Sequence, residues 1–141
     1  MPFLASSSTF LQDKYVMKIL LFIWQLPQNL LALILILLSR KKELICDFNT
    51  GLWYRKCSII TKDSAISLGN FILSSCDLPD YVLKHEHGHQ IQSLYFGPLY
   101  LILVGIPSIL RVIYFNIFRK SYEWYHSGYP ENWADKLGGV K

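Results

Sequence analysis

Apolar side chains fall in three blocks along this chain, and the polar residues within and between them predict its elements. Ile19–Leu38 is twenty residues without a charge, about the length of a helix that crosses a bilayer core. Gln25, Pro27, Gln28 and Asn29 interrupt it. Proline lacks an N–H and crowds the preceding turn, so a kink is expected there, with a freed carbonyl in need of a partner. The three amide side chains are expected to face protein or a cavity rather than lipid. A signal peptide fits less well, because the run is too long and Ser39-Arg40-Lys41-Lys42 stands where a cleavage site should be. The segment 17–40 reads as a retained transmembrane anchor. Residues 1–16 read as flexible, and Met17-Lys18-Ile19 as a natural start of translation.

The second block, 43–75, has strand character. Asn49-Thr50-Gly51 lies between apolar runs as a hairpin turn, and residues 61–64 form a second turn candidate. Ala65–Ser75 reads as one strand. Its apolar alternation shifts phase after Gly69, which predicts a bulge. The expected product is a small antiparallel meander. A helix should follow from near Leu78 to near Gly97, capped by Ser75 or Asp77, with Pro79 in its first turn.

The third block, 94–118, is divided by Gly105-Ile106-Pro107-Ser108 and contains Arg111. It predicts either a membrane-embedded helical hairpin turning near Pro107 or one kinked span, and the hairpin is favoured. Tyr, Trp and basic residues at 119–125 suit a membrane interface. Pro130–Leu137 reads as a short helix ended by Gly138-Gly139.

Composition agrees with the pattern. The chain is 52% hydrophobic, 15% aromatic and only 17% charged, where a soluble domain is about 25% charged. Its formal charge of +4 is too small and scattered for a nucleic-acid footprint. The basic residues instead flank apolar segments and face lipid headgroups. Arg40, Lys41 and Lys42 outnumber Lys14 and Lys18, so the chain after the anchor is expected in the cytoplasm. Three cysteines with no CxxC spacing argue for reduced thiols rather than a disulfide framework. The expected class is a membrane α+β protein, with residues 41–141 forming one domain.

Candidate chemistry is concentrated in His85-Glu86-His87-Gly88-His89, an H-E-x-x-H pattern. On a helix, His85 and His89 project from one face and can bind one Zn²⁺. Glu86 then stands where a general base can hold a zinc-bound water. His87 faces elsewhere, and Gly88 would let a strand or the tail approach closely. A catalytic zinc needs a third protein ligand, for which Glu123, His126, Glu131 and Asp135 are the downstream candidates. Glu131 and Asp135 share a helix face, so Glu131 can bind zinc while Asp135 hydrogen-bonds to a ligating histidine. Tyr122, Tyr125, Tyr129 and His126 are candidate oxyanion donors, with His126 and Tyr129 preferred. The strand at 65–73 could pair with an extended peptide substrate.

The H-E-x-G-H motif followed by Glu131-Asn132-Trp133-Ala134-Asp135, an E-x-x-A-D motif, resembles the integral-membrane gluzincins of the CAAX-prenyl-protease family. The resemblance implies His85, His89 and Glu131 as zinc ligands, Glu86 as base, and Asp135 as the Asp of the second motif. It covers about ten residues plus the order of elements, in a much shorter chain. Site-2-type intramembrane proteases are a second comparison, and would make Asp135 the third ligand. Together these readings predict a membrane-anchored zinc metallopeptidase acting on a peptide or membrane-protein segment. The alternatives are a non-catalytic membrane protein using zinc for folding or partner binding, and a zinc hydrolase of non-peptide substrates.

Overall fold

The computed structural model describes residues 6–39, 42–47, 52–57 and 64–140, with side chains described over 12–39 and 64–140. Helix α1 spans Ser6–Trp24 and α2 spans Leu26–Leu38. Strands β1 (Lys42–Asp47), β2 (Leu52–Cys57), β3 (Ala65–Leu68) and β4 (Phe71–Ser74) follow. Helix α3 (Asp80–Phe96) leads through a 3-10 turn into a π-helical turn, Leu101–Gly105, continued by α4 (Ile106–Ile117). Helices α5 (Tyr122–Ser127) and α6 (Glu131–Gly138) close the chain.

The segment 17–40, expected as an anchor, is not one straight helix. Its halves, Gln12–Trp24 and Leu26–Leu38, are bent by 81°, with the break at Gln25 and Pro27 in the first turn of α2. No single helix among the described residues is long and apolar enough to cross a membrane, while this bent pair passes that test together. Helix α1 also covers much of 1–16, which the sequence reads as flexible.

The amide side chains at the bend face protein, as expected. Gln28 donates from Nε2 to Ser93 Oγ at 2.8 Å and to the Gly97 carbonyl at 2.9 Å. Ser93 donates to Gln25 Oε1 at 2.7 Å. Asn29 Oδ1 accepts from the Asn70 backbone N–H at 2.9 Å, and its Nδ2 donates to the Phe22 carbonyl at 3.0 Å. All three amides are buried, so these bonds replace the water that the broken helix would otherwise require.

The sheet has the order β1-β2-β4-β3. β1 pairs with β2 antiparallel, as predicted, and β3 with β4 likewise, where one strand was expected, but β2 joins β4 in parallel, so the sheet is not a meander. The turn predicted at 49–51 and most of that at 61–64 lie outside the described residues. The phase shift at Gly69 is a hairpin turn, not a bulge. Leu68 pairs with Phe71 across Gly69-Asn70, and Gly69 has φ +60, which suits the first position of a two-residue hairpin turn. Ala32 and Ile36 of α2 pack on Leu68 and Leu73 of this hairpin to form the buried apolar core. Each such Leu or Ile contributes roughly 1.5–3 kcal/mol by leaving water.

No chain reversal occurs at Gly105–Ser108, contrary to the favoured hairpin. Leu101–Ile117 is one continuous apolar helical stretch, ~25 Å long at 1.5 Å per residue. The π turn takes up the Gly-Ile-Pro irregularity, and Pro107 falls at the start of α4, where its missing donor is harmless. The return is made by α5. Arg111 donates from Nε to the Tyr125 carbonyl at 2.6 Å, bonds the Trp124 carbonyl, and stacks on the Trp124 ring at 4.1 Å. A guanidinium on the last carbonyls of a helix is favourable.

Candidate metal centre

Helix α3 presents its histidines to α6 at very short range. A Cβ added at Gly88 would lie 2.0 Å from the Ala134 carbonyl oxygen, and one at Gly138 1.8 Å from that of Lys84. Only glycine lets these backbones meet. The tail is thus the element that Gly88 admits. Trp133 fastens the contact by stacking on Tyr95 at 5.9 Å and meeting Phe96 edge-on at 5.7 Å. Asp80 opens α3 in an ion pair with Lys84 at 2.8 Å. The expected cap by Ser75 or Asp77 is not used, since Pro79 holds the cap position.

This packing brings His85, His89 and Glu131 together. The Nε2 atoms of both histidines converge on Glu131 Oε2, at 3.0 and 3.1 Å. The remaining polar atom of each residue is also held. His85 Nδ1 lies 2.7 Å from Asp135 Oδ1, His89 Nδ1 lies 2.7 Å from Gln92 Oε1, and Ser108 Oγ donates to Glu131 Oε1 at 2.6 Å. Asp135 Oδ2 accepts from His126 Nδ1 at 3.0 Å.

The electrostatics call for a cation. Both ring nitrogens of His85 face carboxylate oxygens, which only accept hydrogen bonds, so a neutral imidazole would set a lone pair against one of them. Burial opposes a charged His85, yet the hydrogen bond to Glu131, the Glu86 charge and the bond to Asp135 push it up to about 9. Burial likewise opposes a charged Glu131, but His85, His89 and Ser108 hold its carboxyl well below the usual range. Three carboxylates, Glu86, Glu131 and Asp135, are buried here, and buried charge is costly unless paired or bound to metal. His85, His89 and Glu131 place ligand atoms within 4.8 Å of one another, and so does the overlapping set His85, His126 and Asp135. The cluster could bind a metal ion.

Glu86 is buried beside the same atoms. Burial raises its pKa, opposed by the charges of His89 and His85. It accepts no hydrogen bond among the described residues. His87 is half-buried and turns to Gln90 Oε1 at 3.3 Å, outside the cluster. Of the preferred oxyanion donors, His126 is spent on Asp135, behind His85. The Tyr129 hydroxyl donates to the Leu103 carbonyl at 2.6 Å rather than into the cluster. Tyr125 is the tyrosine that comes close: burial and the Glu131 and Glu86 charges hold its phenol well above the usual range. Glu123 borders a cavity of about 290 Å³ on the far side of His85, with Tyr81, Tyr122 and His126.

Sequence reasoning passed over Gln92 and Ser108. Gln92 carries a faint signal, since it stands three residues after His89 and so shares its helix face. Ser108 carries none, being brought to Glu131 only by the fold.

Compared with protein-family models, curated proteins and solved structures, the chain finds no match.

Proposed function

We propose that the protein is a membrane-anchored zinc metallopeptidase. The observation that supports this best is the convergence of His85 Nε2 and His89 Nε2 on Glu131 Oε2, with Glu86 buried alongside. Two imidazoles and a carboxylate are a donor set of catalytic zinc, which keeps a fourth position open. Zinc there would polarise a water and a peptide carbonyl. Glu86, with its raised pKa, takes the proton of the attacking water and hands it to the leaving amine. Asp135 fixes the orientation of His85 and keeps its Nε2 aimed at the metal. A purely structural zinc would leave the buried, unbonded Glu86 without a role.

The bent pair α1–α2 and the apolar stretch Leu101–Ile117 seat the protein in the lipid bilayer, with the site on the cytoplasmic side. Ser108 ties that apolar stretch to Glu131, so the substrate is a peptide or membrane-protein segment presented beside the bilayer. Strand β3 is the sheet edge beside α3. One of its carbonyls, that of Ser67, is already taken by the Tyr100 hydroxyl at 3.1 Å. Substrate pairing on this edge is therefore limited to the Ala65 end.

The purified chain should hold one zinc and cleave an unstructured peptide, and a chelator should stop the cleavage. His85→Ala should lose both zinc and cleavage. Cleavage that persists after complete zinc removal would refute the proposal.

A further inference from the structure

Gln92 is fully buried and touches both halves of the centre. Its Nε2 donates to the Pro130 carbonyl at 3.0 Å, and its Oε1 lies 2.7 Å from His89 Nδ1. A backbone carbonyl only accepts hydrogen bonds, so the amide can sit one way round, with its nitrogen toward Pro130. The oxygen then faces His89, and the Nδ1 it meets must carry a proton. A neutral ring then keeps its lone pair on Nε2, the atom 3.1 Å from Glu131 Oε2. Pro130 directly precedes Glu131, so the same amide also holds the backbone from which the carboxylate projects.

We infer that Gln92 is the positioning residue that selects Nε2 of His89 as its ligating nitrogen and sets the spacing between His89 and Glu131. The inference rests on the metal-site reading above, and it gives each of the three ligands its own orienting partner: Asp135 for His85, Gln92 for His89 and Ser108 for Glu131. The pairs differ in kind, because a neutral amide fixes the tautomer of His89 without adding a fourth buried negative charge.

Two variants separate the two bonds. Gln92→Met keeps the length of the side chain and loses both bonds. Gln92→Glu keeps an acceptor for His89 Nδ1–H but sets a second acceptor against the Pro130 carbonyl. Zinc affinity of the full chain in detergent micelles, read by competition with a chromophoric chelator, should fall about 10–100-fold in Gln92→Met. Imidazole ¹⁵N spectra of the zinc-free chain should show His89 protonated at Nδ1 in the wild type and in Gln92→Glu, and a mixture of tautomers in Gln92→Met. A merely structural residue would not move that signature. An unchanged His89 spectrum in Gln92→Met, or zinc affinity within twofold of wild type, would overturn the inference. If the wild type cleaves no peptide, the peptidase reading fails while these two readouts still decide the role of Gln92.

Discussion

Two buried polar clusters lie one above the other along α3, and they are built on opposite principles. At the bend between α1 and α2, Gln25, Gln28, Asn29, Asn70 and Ser93 are all neutral and exchange donors for acceptors. Between α3 and α6, His85, His89 and His126 meet Glu86, Glu131 and Asp135, where acceptor faces acceptor unless a proton or metal intervenes. The first cluster pairs its neutral donors with acceptors, leaving Gln28 Oε1 buried without a partner among the described residues, and it serves the fold. The second is complementary to a positive charge and could hold a metal ion. Ser93 of one and Gln92 of the other are neighbours on the helix, so the neutral cluster also anchors the helix that presents the charged one.

The comparison can be broken from either side. Glu131→Ala removes the oxygen on which both Nε2 atoms converge. Zinc affinity should drop by more than the roughly 10–100-fold expected for an outer partner. Unchanged affinity would move the third ligand elsewhere. Gly88→Val drives a side chain into the Ala134 backbone and should strike both clusters' shared helix. About 1–3 kcal/mol of stability should be lost, as for other overpacked sites, together with zinc, in a denaturant titration with metal analysis. Asn29→Ala strands the Asn70 N–H and the Phe22 carbonyl. It should cost about 1–3 kcal/mol while zinc affinity stays within twofold, since that cluster has no part in the metal site.

The remaining effect is one of pH. His85 is pushed up to about 9 from an ordinary 6.5. A folded-state value above the unfolded one adds stability that is complete below pH 6.5 and lost as pH rises through 9. Chelator-treated protein should therefore melt at a lower temperature at pH 9 than at pH 6.5. Zinc-loaded protein should lose less over the same range, because the metal then takes the proton's place on His85.

What was legible in the sequence was local or periodic. The i, i+4 spacing of His85 and His89, the matching spacing of Glu131 and Asp135, and the missing side chain at Gly88 each pointed to contacts that the fold makes. Amides inside an apolar run pointed to a protein-facing bend, because lipid cannot satisfy them. What was not legible depended on partners distant in sequence. The phase change at Gly69 suits a bulge and a turn equally until β3 and β4 are seen to pair. Pro107 suits a reversal or the start of a helix until Arg111 and Ser108 are seen to dock on α5 and α6. The parallel join of β2 to β4 leaves no mark in either strand's own pattern.

The most direct test of the central claim is zinc content and peptide cleavage measured together on Glu86→Gln. Removing the carboxylate charge leaves His85, His89 and Glu131 in place, so the variant should hold zinc as the wild type does. Without a group to take the proton from the attacking water, turnover should fall by about 10²–10⁴-fold. A Glu86→Gln protein that keeps its zinc and cleaves at the wild-type rate would contradict the account.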